Sequence, residues 1–205
     1  MTSATQLLPQ RRLSGATILL GGLLAAAGYL IEPSTGRDPV IVPASWLIFS
    51  GTVLLLFGLP AFHAGQAPRA GAFGWWATAT LCAGLALSQL PGSVIGWADR
   101  QYLYTDTAFH EGAAGSAEFF GLIVLTVGVI LLAVATFRAA EYPRWAAWCL
   151  VGIVVLSVVC QALPGVGAAI RFPAENFVLA GLVGVPVLRG PRAAAAQKQA
   201  PVPVA

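Results

Sequence analysis

Six long apolar stretches, almost empty of charge, limit what this 205-residue chain can fold into. They are read as 13–31, 44–62, 73–97, 118–137, 145–163 and 172–188. A hydrocarbon core of roughly 30 Å needs about 17 to 25 apolar residues in a helix rising about 1.5 Å per residue, and these stretches have that length. The composition agrees: 58% of residues are hydrophobic and 9% charged, against about 25% charged in a typical soluble domain. The last stretch is the weakest, because Pro173, Glu175 and Pro186 leave only a short clean apolar run. The expected fold class is all-α, a polytopic membrane bundle of six transmembrane helices arranged as three helical hairpins. The tails, 1–12 and 191–205, lack amphipathic periodicity and are expected to be disordered.

The charges sort by sign between the stretches. Alternate gaps and the tails on one side hold Arg11, Arg12, Arg69, Arg138, Arg144, Arg189, Arg192 and Lys198 against one acid, Glu141. The other side holds Glu32, Asp38, Asp99, Asp106, Glu111, Glu118 and Glu175 against Arg37, Arg100 and Arg171. Removing any one stretch would move every later gap to the opposite face and scramble this pattern, so the signs support all six. By the positive-inside rule both termini are cytoplasmic. Arg11 and Arg12 before an apolar run resemble a signal peptide, but the run exceeds the usual h-region of about 7 to 15 residues and further spans follow.

The same pattern excludes several functions. Proton pumps, ion-coupled carriers and voltage sensors need ionisable groups at mid-depth, and the spans have almost none. No span contains lysine, which excludes a retinal Schiff base. His63 and His110 fall at opposite faces, which excludes a haem held between them. Cys82, Cys149 and Cys160 lie within spans without paired spacing and read as small buried hydrophobes, with no disulfide, metal site or other cofactor expected. The bases are scattered over short loops and tails, as suits anionic lipid headgroups at about 1 kcal/mol each, rather than nucleic acid.

Two glutamines stand out because an amide in hydrocarbon is costly unless paired. Gln89 lies in Ser88-Gln89-Leu90-Pro91-Gly92 and Gln161 in Gln161-Ala162-Leu163-Pro164-Gly165, both at the outer ends of their spans. They are expected to bond to each other or to a carbonyl freed near the prolines. Small residues such as Gly92 and Gly96, and Ala180 with Gly184, permit close helix approach.

The acidic face gathers the candidate chemistry. From Trp97 at the end of the third span to Phe120 at the start of the fourth, the chain gathers Trp97, Tyr102, Tyr104, Asp106, His110, Glu118, Phe119 and Phe120. Carboxylates and a histidine beside aromatic rings can act as general acid and base or cradle an amphipathic ligand, and the plain alternative is a solvated loop with an aromatic belt. Glu118 and Glu175 are the sharper candidates, since each precedes an apolar run. Facing the bundle axis they would be useful acids, whereas facing water they would be helix-start acids stabilised by the helix dipole.

The run Gly58-Leu59-Pro60-Ala61-Phe62-His63-Ala64-Gly65-Gln66, then Arg69 and Gly71-Ala72-Phe73-Gly74, resembles a broad group of small uncharacterised bacterial membrane proteins with about six helices. The resemblance covers roughly a fifth of the chain and implies a plasma-membrane location without an activity. The reading that follows is a multi-pass protein whose acidic, aromatic outer vestibule binds a small apolar or amphipathic molecule or a membrane-protein partner. In that reading Gln89, Gln161, Trp97, Tyr102, Tyr104, Phe119 and Phe120 contact the ligand. An alternative is an integral-membrane enzyme that protonates an isoprenoid- or sterol-like substrate, with Glu118, Glu175, Asp106 or His110 as the acid. Passive transport ranks third, because only Ser, Thr, Gln and Cys offer a polar line through the bundle.

Overall fold

The computed structural model describes residues 4–35, 41–98, 113–161, 166–179 and Gly184. All its elements are helical: α1 (Ala4–Thr35), α2 (Ile41–Ala98), α3 (Ala113–Ala139), α4 (Arg144–Gln161) and α5 (Val166–Leu179), with no strand among the described residues. Three helices are long and apolar enough to cross a membrane, through Leu13–Ile31, Pro43–Val94 and Ser116–Ala139, and Arg144–Cys160 is a shorter apolar helix.

The apolar stretch Pro43–Val94 has 52 residues. As one straight helix it would run about 78 Å, more than twice the hydrocarbon thickness. It is broken at Gly71, where φ is 54° and ψ is −147°, a combination that only glycine adopts without strain. No atom lies within 4 Å of where a Cβ at Gly71 would stand, so the demand for glycine is conformational rather than steric. The two arms, 41–70 and 72–98, fold back on one another. Thr52 in the first arm donates to Gln89 Oε1 in the second at 2.6 Å, and these residues lie nearly the same distance along the chain from Gly71.

Each arm is zipped to a neighbour by glycine. A Cβ on Gly21 of α1 would stand 2.7 Å from Gly51 O in the first arm, and one on Gly128 of α3 would stand 2.5 Å from Leu81 N in the second. Backbones can approach this closely only where side chains are missing, which is how helices associate when lipid removes the hydrophobic drive between them. Ile18, Leu55, Leu59, Phe62, Leu81, Leu85, Leu132 and Leu150 fill the core. Phe57, Trp75, Trp76, Phe120, Trp148 and Val158 point outward, an apolar exterior that suits a lipid surround and would be a liability in water.

Helix boundaries depart from expectation in two informative places. α1 reaches back to Ala4, so much of the stretch expected as a disordered tail is helical; Gln6, Leu7, Leu8, Arg11 and Arg12 are all good helix formers. α5 begins at Val166, not at 172, and carries Pro173 within it. Beyond Leu179 only Gly184 is described, so most of the sixth expected span lies outside the described residues. α3 ends in a left-handed residue, Ala140 with φ 52°, whose N–H bonds to Thr136 O at 3.1 Å, satisfying a carbonyl of the last turn.

Candidate functional site

Two polar clusters interrupt the apolar interior, one on each side of the bundle's midpoint. The cluster remote from Gly71 is built from both arms of α2 and from α4 and α5. Thr52 is fully buried and Gln89 nearly so, and Gln89 Nε2 donates in turn to Asn176 Oδ1 at 3.4 Å. Asn176, also fully buried, donates to Phe172 O at 3.0 Å within its own helix. Its chain neighbour Glu175 is 3% exposed and accepts a hydrogen bond from Ser157 Oγ of α4. Consecutive residues on a helix point about 100° apart, so α5 offers an amide to α2 and a carboxyl to α4 from adjacent positions. An unpaired amide or hydroxyl in such surroundings costs roughly 2–7 kcal/mol. Their mutual pairing is what lets these groups sit inside.

The carboxyl closes a crevice. Leu125, Thr126 and Val129 of α3, Ile153, Val154 and Ser157 of α4, and Glu175 enclose about 10 Å³, room for one water-sized group. Next to it a wholly apolar groove of about 200 Å³ runs between α3 and α4, lined by Ile130, Ala133, Val134, Phe137, Val151, Val154 and Val155. Val154 borders both spaces. Val154 thus separates an apolar surface on one side from a carboxyl and a hydroxyl on the other.

The second cluster lies where the chain turns at Gly71. Arg69 Nε pairs with Glu141 Oε1 at 3.1 Å. Tyr142 stacks on Phe62 with ring centroids 4.5 Å apart and donates to Phe62 O at 3.3 Å. Arg138 lies over the Phe73 ring at 5.7 Å, a cation–π contact. These contacts pin the 140–143 turn to the first arm of α2 and the last turn of α3 to the start of the second. His63 belongs here too, and burial pushes its imidazole below the usual pKa by disfavouring the charged ring.

Of the residues singled out from sequence, Gln89 and Glu175 are brought into one neighbourhood through Asn176. Gln89 finds Thr52 and Asn176 as partners. The expected partner Gln161 is the last residue of α4, and its side chain lies outside the described part, as does that of Trp97 in α2. Glu175 is not at a helix start, since α5 begins nine residues before it. Glu118 is half-buried on α3. Phe119 and Phe120 beside it are 63% and 61% exposed, with their rings edge to face at 6.0 Å. Tyr102, Tyr104, Asp106 and His110 lie outside the described residues.

Thr52, Ser157 and Asn176 escaped sequence reasoning. Asn176 had a signal, because a second polar side chain directly after Glu175 in an apolar run is as costly as the first. Glu141 had one also, as the lone acid on the basic side. The chain matches no protein-family model, no curated protein and no solved structure.

Proposed function

We propose that the chain is a multi-pass plasma-membrane protein that binds a small amphipathic molecule. The ligand's polar end meets Glu175 and Ser157, and its apolar body lies in the groove between α3 and α4. The observation that carries this reading is the position of Glu175, a buried carboxyl lining a crevice that shares the Val154 side chain with an all-apolar groove. An ionisable side chain held inside such a bundle is costly and marks function by default. Carboxyl and hydroxyl oxygens favour a head that donates hydrogen bonds, such as an alcohol or amine. The six-span topology with cytoplasmic termini is part of the proposal, and rests on the sorted charges together with the break that divides α2.

The test is to purify the protein from membranes in lipid nanodiscs and identify bound small molecules by mass spectrometry, beside Glu175→Gln and Val154→Phe variants. The reading expects a species enriched with the native protein, depleted when the groove is filled, and exchanged or lost when the carboxyl becomes an amide. Identical bound species in all three proteins would refute it.

The same carboxyl supports a second reading, an enzyme that protonates an isoprenoid- or sterol-like substrate. A carboxylic acid among apolar walls, with Ser157 fixing its orientation, suits proton delivery to a carbon–carbon double bond. Incubation of membranes with polyprenyl substrates, followed by product analysis, tests it. Turnover that survives Glu175→Gln would remove Glu175 from the chemistry.

A further inference from the structure

We infer that the 140–143 turn roofs an internal water site anchored by the side-chain amide of Gln66. Phe62, Gln66 and Arg69 recur at i, i+4 and i+7 along α2 and so share one stripe. The turn covers both ends of that stripe. Tyr142 stacks on Phe62 at one end, and Glu141 pairs with Arg69 at the other. Gln66 lies between them with no exposure to solvent. Neither its Nε2 nor its Oε1 has a hydrogen-bond partner among the described residues, and the Nδ1 of His63, three residues earlier on the same helix, is in the same position.

Buried side-chain amides are almost always partnered, and one with both atoms unsatisfied calls for an occupant that both donates and accepts. The surroundings define its character. Arg69 and Glu141 neutralise each other, and burial favours the neutral form of His63, so the site has no net charge to attract an ion. The space beneath the turn is tight: a Cβ on Gly65 would collide with the Tyr142 hydroxyl. A small, uncharged donor and acceptor fits these requirements, and water is the smallest. A water on Gln66 bridges toward the His63 ring beneath the turn, between the contacts that Tyr142 and Glu141 make with Phe62 and Arg69. The site is separate from the Glu175 crevice and does not depend on the function proposed for it.

Hydroxyl-radical footprinting with the protein in lipid nanodiscs tests the inference, because the radical forms from water at the site. Tyr142 and Phe62 are the reporters; both are buried and neither would be oxidised in a dry interior. The expected result is oxidation of both rings in the native protein, falling several-fold in Gln66→Leu. Gln66→Met, which keeps the side chain's length, serves as a second variant should Gln66→Leu fail to fold. Unlabelled rings in the native protein, or labelling unaffected by removal of the amide, would overturn it.

Discussion

Arg69 and Glu141 form an ion pair whose two ends sit in different media. Their N–O separation is 3.1 Å, and their side chains are 58% and 7% exposed. The arginine keeps its charge near solvent while the carboxylate is carried inward beneath the turn. Glu141 is thus held by a cation that pays little for its own desolvation.

Removing that cation strands a buried carboxylate. Arg69→Ala is expected to cost about 1–2 kcal/mol, below the roughly 3–5 of a fully buried pair because the arginine end is already wet. Glu141→Gln is expected to cost less, since an amide tolerates burial better than an unpaired charge. Thermal unfolding of both single variants and the double variant gives the coupling energy, and additive effects would show that the pair contributes nothing.

The polar cluster makes an asymmetric prediction. Gln89→Leu leaves the Asn176 amide without its interhelical partner and is expected to destabilise by about 1 kcal/mol, typical of hydrogen bonds between helices in membranes. Combining it with Asn176→Leu should cost less than the sum of the single changes, because the second change removes the group that the first left stranded. Denaturation in mixed micelles would measure both.

Glycines offer a pair of opposite expectations. Gly128→Ala places a methyl 2.5 Å from the Leu81 backbone nitrogen and should push α3 off the second arm of α2, costing about 1–3 kcal/mol. Gly152→Ala meets nothing within 4 Å and should stabilise α4 by about 0.5–1 kcal/mol, through helix propensity alone. Equal melting temperatures for the two variants would contradict the packing described for α3.

His63 sets a dependence on pH. Its folded-state pKa lies below the ordinary imidazole value of 6.5 because burial disfavours the imidazolium. The unfolded chain therefore binds the proton more readily, and stability rises with pH across the window between the two pKa values. Stability from this residue is complete above about pH 6.5 and declines as pH falls through that value toward the folded pKa. Melting curves from pH 8 to pH 5 should show the decline, and His63→Gln should flatten it.

Much of the helical scaffold was readable because hydrocarbon thickness and residue type leave few options. The apolar runs at 13–31 and 118–137 lie within α1 and α3, and the second gap in hydropathy, at Arg69 and Gly71, is where α2 breaks. The polar interior was only half readable. Gln89 and Glu175 announced themselves by their cost in an apolar run, but which groups would meet them depended on helix rotation. That rotation is fixed by the glycine contacts between backbones rather than by any periodic signal along the chain. Ser157 and Thr52 are ordinary residues in a membrane helix, and nothing local distinguishes a hydroxyl that bonds its own helix from one that reaches across. The 140–143 turn was legible in charge alone, through the misplaced sign of Glu141, with no indication that Tyr142 would wedge against Gly65.

Gly71 also acts as the zero mark of a ruler. Thr52 and Gln89 meet because the two arms have been counted out to matching lengths from the same break. One residue inserted into either arm would turn everything beyond it by about 100° and carry Gln89 from its place beside Thr52 toward the outside of the bundle. The arms should therefore tolerate substitution along their outward faces far better than any change in their length. Among natural variants, insertions and deletions should cluster outside 52–89.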